Sequence, residues 1–445
     1  MTTSTDELLA SDRRYIWHPF TQAGTAPDPI PVARAHGAVL EDTDGNQHLD
    51  MISSWWTTLH GHAQPEIVDA IHLQARTLEQ VIFAGNTHAP AAQLSERLAH
   101  ILPGGLNRTF FSDNGSTAVE VALKMALQYC QNVGDSGRTR FLAFDGGYHG
   151  DTVGAMSAGV SSQFFDPFND LLFPVDVAPI PPSFDGDTEI DKREQEALAR
   201  LDAHLDDYGH ATAAAIVEPL VQGAGGMRMH RPSFLRAVVD RLRQHGVLVI
   251  FDEVMTGFGR VGELFACLKA EVTPDLVCLS KGLTGGFLPM ALTVTQDYIH
   301  DAFLGESLDR AFLHGHSFTA NPLACAAALA SLDLLEGERC AEQRARIEQR
   351  HRDALSDLTT EDVVTRPRIC GTLMAFDVEL GADAGGYRSA AGPWLKRFFR
   401  ERGLLIRPLG DVVYLMPPFG VTDDQLTTAY EGIREAVRRL PAEQA

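Results

Sequence analysis

Short, continuous apolar runs alternate along this chain with longer stretches whose apolar residues recur at helical spacing. The runs are Phe141-Leu142-Ala143-Phe144, Ala213-Ala214-Ala215-Ile216-Val217, Val247-Leu248-Val249-Ile250-Phe251 and Leu276-Val277-Cys278-Leu279. Unbroken apolar character, rather than alternation, suits strands covered on both faces, as in a parallel sheet flanked by helices. Ahead of the third run, residues 232–245 carry Phe234, Leu235, Val238, Val239 and Leu242 at helical spacing, and Gly246 stops them. This predicts a helix–strand step of a βαβ pattern, so the middle of the chain reads as α/β. Residues 181–191, with prolines, a glycine and several acids, read as an exposed loop. From about Leu332 the pattern turns to a charged helix, 336–358, and then short strands ending with Val412-Val413-Tyr414-Leu415-Met416. A smaller C-terminal domain is therefore expected to begin near residue 335.

Length and charge narrow the class. At 445 residues the chain allows about three domain-equivalents. Its net charge of −22 argues against nucleic acid, because phosphate contacts need clustered Lys and Arg, and against an anionic membrane surface for the same reason. No apolar run approaches the roughly 18 residues that cross a bilayer. Met1-Thr2-Thr3-Ser4-Thr5-Asp6-Glu7 is polar and acidic, unlike a signal peptide. Cys130, Cys267, Cys278, Cys325, Cys340 and Cys370 are widely spaced and read as reduced, mostly buried thiols. The expectation is a cytoplasmic enzyme with no membrane or nucleic-acid partner.

Three features carry chemistry. Asp252 follows one predicted buried strand, and Lys281 follows another. In open α/β sheets ligands collect beyond the carboxyl ends of the strands, so both residues point toward one crevice. A lysine in a dry site can lose its charge and attack a carbonyl. An aspartate there can hold a pyridinium nitrogen protonated, and these are the two protein groups that pyridoxal phosphate chemistry requires. Ser112-Asp113-Asn114-Gly115-Ser116-Thr117 precedes a helix with Ala118, Val121, Ala122, Met125 and Tyr129 on one face and Glu120, Lys124 and Gln128 on the other. Glu120 and Lys124 are an i,i+4 pair. Gly115 and Ser116 thus stand at a helix N-terminus, where unpaired N–H groups favour an anion such as a phosphate. Tyr148, in Gly146-Gly147-Tyr148-His149-Gly150-Asp151, can stack on a flat ring.

Taken together these residues resemble a known family. Asp252-Glu253-Val254-x-Thr256-Gly257-Phe258-Gly259-Arg260, followed by Lys281-Gly282, is similar to the signature of the class III pyridoxal phosphate aminotransferases. Trp17-His18-Pro19, Ser53-Ser54-Trp55-Trp56, Val221-Gln222-Gly223-Ala224-Gly225-Gly226-Met227, Arg407-Pro408 and Tyr414-Leu415-Met416-Pro417-Pro418 resemble the 7,8-diaminononanoate synthases of biotin biosynthesis within it. The resemblance runs over about residues 12–435.

It implies a fold-type-I α/β transferase. Residues 60–335 would form a large, mostly parallel sheet domain; 1–59 and 336–445, from both chain ends, would form a small α+β domain. The protein would be a homodimer with interface active sites. Lys281 would hold the cofactor and shuttle a proton, Asp252 would pair with its ring nitrogen, and Tyr148 would stack on the ring. Gly115 and Ser116 would bind the phosphate, helped from across the interface by His316 and Ser317. Phe20, Trp55, Trp56, Gly315 and Tyr414 would border the substrate, and Arg407 would grip the acceptor's carboxylate as a bidentate pair. Glu218 and Arg260 lie near the site by the same analogy.

The implied reaction passes an amino group to 8-amino-7-oxononanoate in a ping-pong cycle between pyridoxal and pyridoxamine phosphate. The paired tryptophans favour S-adenosylmethionine as donor. Phe20-Thr21-Gln22 and His314-Gly315-His316-Ser317 instead occur among relatives that resemble lysine users. Other ω-aminotransferases, of the 4-aminobutyrate or ornithine type, are the alternative. Gly315-His316-Ser317-Phe318-Thr319 ends in Thr where a nucleophile elbow needs Gly. His60-Gly61-His62 and His314-Gly315-His316 are paired histidines at i,i+2 without a nearby carboxylate or Cys cluster, a poor site, so no metal is expected.

Overall fold

The four continuous apolar runs become neighbouring strands of one seven-stranded sheet. A computed structural model describes residues 4–159, 163–379, 389 and 391–444, so the first three residues of the polar N-terminus lie outside it. The sheet runs Leu106–Ser112, Ala291–Gln296, Leu276–Leu279, Leu248–Asp252, Thr212–Val217, Arg140–Phe144 and Asp176–Ala178 in spatial order. Every residue of Thr212–Val217, Leu248–Asp252 and Leu276–Leu279 is buried, as strands covered on both faces must be. Only Ala291–Gln296 runs against the direction of the other six strands, so the sheet is mostly parallel.

The helix Pro232–Gln244 shows how the layers are held. Proline occupies its first turn, where a missing N–H costs nothing, and Gly246 at φ 66° ends it in the left-handed region. Phe234, Leu235, Val238, Val239 and Leu242 are its buried residues, each contributing about 1.5–3 kcal/mol. The helix Gly115–Asn132 forms as expected, capped by the Asn114 side chain accepting from Thr117 N at 3.1 Å. Its surface pairing differs from the expectation: Glu120 accepts from the backbone N–H of Gly154 (2.7 Å) and Ala155, while Lys124 meets His314 Nδ1 at 2.9 Å. Tertiary partners with fixed geometry outcompete an exposed i,i+4 ion pair, which is worth only a few tenths of a kcal/mol. The loop at 181–191 is also less exposed than expected, since Pro181 is buried, Ser183 bridges to Met229, and Ile190 already opens the helix Ile190–Tyr208.

Two smaller sheets draw on the chain ends. Val32–His36, Val39–Asp42 and Gln47–Asp50 are completed by Leu404–Leu405, which pairs in parallel with Leu49 and Asp50. Val364–Cys370, Leu373–Val378 and Val412–Leu415 form the other. The charged helix is Glu338–Leu358, with Ile347, His351 and Leu355 among its buried residues. All six cysteines are free and buried. Among the described residues no helix is long and apolar enough to cross a membrane.

Candidate active site

Beyond the carboxyl ends of the central strands lies a cavity of about 470 Å³, within the range of small-molecule sites. Gly115, Ser116, Tyr148, Asp252 and Lys281 all line it, together with Trp56, His149 and Glu218. The sheet brings Asp252 and Lys281 together by register: Asp252 pairs with Cys278, three residues before the lysine.

Lys281 takes φ 46°, a left-handed conformation that costs a non-glycine residue of order 1–3 kcal/mol and that surrounding structure must hold in place. Its Nζ sits 4.5 Å from the centre of the Trp56 ring. Loss of hydration pushes the ammonium from 10.5 down to about 8, against the upward pull of the Asp252 and Glu218 carboxylates. A lysine titrating there is partly neutral near pH 7.5, the form that attacks carbonyls.

Asp252 is buried, accepts from Val254 N at 3.1 Å through one oxygen, and lies 2.7 Å from His149 Nδ1 through the other. His149 is buried as well, and its Nε2 has no hydrogen-bond partner among the described residues. Glu218 accepts from Tyr148 N and Gly223 N, each at 2.9 Å, and burial beside Asp252 pushes it up to about 7. Tyr148 stacks on Phe165 with ring centres 6.3 Å apart, and burial and the Asp151 carboxylate push its hydroxyl above the ordinary value.

The anion cradle is shaped by close packing. A methyl group at Gly115 would lie 2.7 Å from Val254 Cγ1, and one at Gly150, where φ is +123°, would collide with Ser116. Ser116 Oγ accepts from Asp151 N at 3.2 Å, so its own O–H can donate to an anion. A cradle needing glycine, a lysine of lowered pKa, a buried carboxylate and a flat aromatic ring are the groups that pyridoxal phosphate requires, and the residues present fit it.

Of the other expected residues only Trp56 is among those lining the cavity. Trp56 Nε1 donates to the buried Tyr414 hydroxyl at 3.0 Å. Trp55 packs edge-on against Phe20, centres 5.6 Å apart, and the Arg407 guanidinium carbon stands 4.6 Å from the Trp55 ring centre. Gly315, His316 and Ser317 do not line the cavity of their own chain; His316 Nδ1 lies 3.2 Å from Asp113 Oδ1, and Gln80 Nε2 donates to Ser317 O at 2.9 Å. Arg260 is fully buried, donating to Pro417 O at 2.9 Å and Thr58 O at 3.1 Å. Sequence reasoning gave His149 no role, although it follows Tyr148 directly at a glycine-rich strand end. The signal was its place in that motif, but the bond to Asp252 spans 103 positions and belongs to the fold.

Comparison with known proteins agrees with this geometry. The family model "Aminotransferase class-III" matches residues 20–437. The adenosylmethionine-8-amino-7-oxononanoate aminotransferase of Synechococcus elongatus is 52% identical, over 96% of this chain and 99% of that protein. The crystal structure of the enzyme of the same name from Methanocaldococcus jannaschii superposes with a TM-score of 0.91 at 34% identity, covering 98% of this chain and 99% of that one. An amine transaminase from an uncultivated Pseudomonas species, solved in its pyridoxal phosphate-bound form, gives 0.88 at 31% identity, covering 96% and 98%.

Proposed function

The chain belongs to the class III aminotransferases, a pyridoxal phosphate-dependent family, and from that premise we propose that it converts 8-amino-7-oxononanoate to 7,8-diaminononanoate, a step of biotin biosynthesis, with S-adenosylmethionine as amino donor. The 52% identity to a relative of that name over almost the whole of both chains carries the substrate assignment. The site geometry supports it. An acceptor with its ketone at one end of an apolar chain and a carboxylate at the other matches a lysine, an aromatic wall and an arginine in that order. Lys281 meets Trp56, Trp55 is the residue immediately before it, and Arg407 stands over Trp55.

Pyridoxal phosphate, when bound, supplies a carbonyl that links to amines and a ring that accepts electrons from the bond being broken. The chain's own residues do the rest. The backbone N–H groups at Gly115 and Ser116 and the Ser116 hydroxyl would hold the phosphate. Tyr148 would cover the ring, and Asp252, steadied by His149, would hold a proton on the ring nitrogen. Lys281 would hold the group through Nζ, the atom at which it can also take up and return a proton. Arg407 fixes the acceptor's carboxylate and so orients the ketone.

We take residues 60–335 as the large cofactor-binding domain and the two chain ends, 1–59 and 336–445, as the small domain. We take the working form to be a cytoplasmic homodimer. Ile82, Leu313 and Phe318 stand 68%, 72% and 62% exposed on segments tied by the Gln80–Ser317 bond, as an uncovered interface would. A second copy seated there would bring its His316 and Ser317 toward the phosphate.

Two results are expected. Arg407→Ala should raise KM for 8-amino-7-oxononanoate about 10²-fold while the half-reaction with the donor is spared, since a bidentate charge-assisted pair is lost only from the acceptor. Equal loss with donor and acceptor would contradict the assignment of Arg407. Pyridoxal phosphate capture by the cofactor-free protein should speed up as pH rises through about 8, where Lys281 becomes neutral. A midpoint near the ordinary 10.5 would show that burial does not tune this lysine.

A further inference from the structure

The four residues Ser53–Trp56 make one of the most strained turns in the protein. Ser53, Ser54 and Trp56 have φ of 51°, 64° and 66°, all in the left-handed region, and Ser54 combines its angle with ψ −88°. None of them is glycine, so each conformation is unfavourable by itself and must be imposed by surrounding contacts. Those contacts converge on a fully buried carboxylate. Asp50 Oδ1 accepts from Ile52 N at 3.1 Å, and Oδ2 accepts from Ser54 N at 2.6 Å and lies 2.9 Å from His62 Nε2. Ser53 Oγ adds a bond to Met416 O at 2.7 Å.

Asp50 also ends a strand whose position is shared with the substrate-binding arginine. It stands in parallel register with Leu405, two residues before Arg407, and Met51 N donates to Leu405 O at 3.2 Å. Met416 N in turn donates to Met51 O at 2.9 Å, two residues beyond Tyr414. One carboxylate therefore stands where the segments bearing Trp55 and Trp56, Arg407, and Tyr414 meet.

We propose that Asp50, oriented by His62, is a positioning residue for the substrate wall: it imposes the left-handed turn that sets Trp56 against Lys281 and Trp55 beneath Arg407. This rests on the reading of those tryptophans and Arg407 as the wall. Three donors need the carboxylate's two oxygens. An asparagine has one acceptor, and its amide group would face either the Ile52 or the Ser54 N–H as a second donor.

Asp50→Asn tests this in the pyridoxal phosphate-loaded enzyme with two readouts. Backbone amide exchange in residues 50–58 should quicken about tenfold or more, while residues 248–256 and 276–284 keep their protection. KM for 8-amino-7-oxononanoate should rise about tenfold with kcat changed less than about threefold. Unchanged exchange in 50–58 overturns the proposal. So does uniformly faster exchange with kcat and cofactor content falling together at constant KM, which marks a merely structural residue. If Asp50→Asn does not fold, His62→Ala carries the test: a smaller rise in both quantities supports the proposal, and wild-type values of both overturn it. Wild-type enzyme that ignores 8-amino-7-oxononanoate would defeat the functional reading alone, because the exchange measurement needs no substrate.

Discussion

Replacing Lys281 with alanine should leave a folded protein whose kcat is lower by about 10⁴-fold or more, because one atom loses both its nucleophilic and its proton-transfer role. Among the residues lining the cavity Lys281 is the one amine, so no neighbour can take over. The fold should tolerate the change. Alanine bears φ 46° no worse than lysine does, and the two nearby carboxylates have other partners: Asp252 its His149, and Glu218 its two backbone N–H donors. Glu218, already pushed up to about 7, can take a proton when the facing ammonium is gone. Turnover measured beside a thermal melt separates the two effects. A small primary amine added to Lys281→Ala should restore part of the rate, which no loss of folding would allow. Activity within about tenfold of wild type would remove Lys281 from the chemistry.

Asp252→Ala should cost about 10²–10³-fold in kcat, the usual size when one preorganised electrostatic partner is deleted from a dry site. The carboxylate is held from two sides, by Val254 N and His149 Nδ1, so it is aimed before any ligand arrives. Its charge also pulls the Lys281 ammonium upward. Removing it should therefore move the pH midpoint of cofactor capture below about 8, the direction opposite to that of simple exposure to water. A rate loss with an unmoved or raised midpoint would mean that the variant had opened the cavity instead.

Asp252 and Lys281 were legible in the sequence because each ends a continuous apolar run, and the ends of buried parallel strands are where ligands collect. The Gly115 cradle was legible for a similarly local reason, a capping residue and small residues ahead of a helix. The antiparallel strand Ala291–Gln296 and the edge strand Leu106–Ser112 were not picked out, since their pairing is with each other and with a sheet assembled from distant segments. The same limit hid the bond between His149 and Asp252, the reach of Lys124 to His314, and the docking of Leu404–Leu405 beside Asp50. Periodicity reports which face a residue buries. It does not report which partner it meets there.

The central claim is that this cavity moves an amino group from a donor to 8-amino-7-oxononanoate, and a two-step spectral assay tests it most directly. S-adenosylmethionine added to the pyridoxal phosphate-loaded enzyme should bleach the cofactor's visible band, and 8-amino-7-oxononanoate added after donor removal should restore it. Bleaching by lysine alone would overturn the donor. A bleached enzyme whose band 8-amino-7-oxononanoate fails to restore would contradict the account.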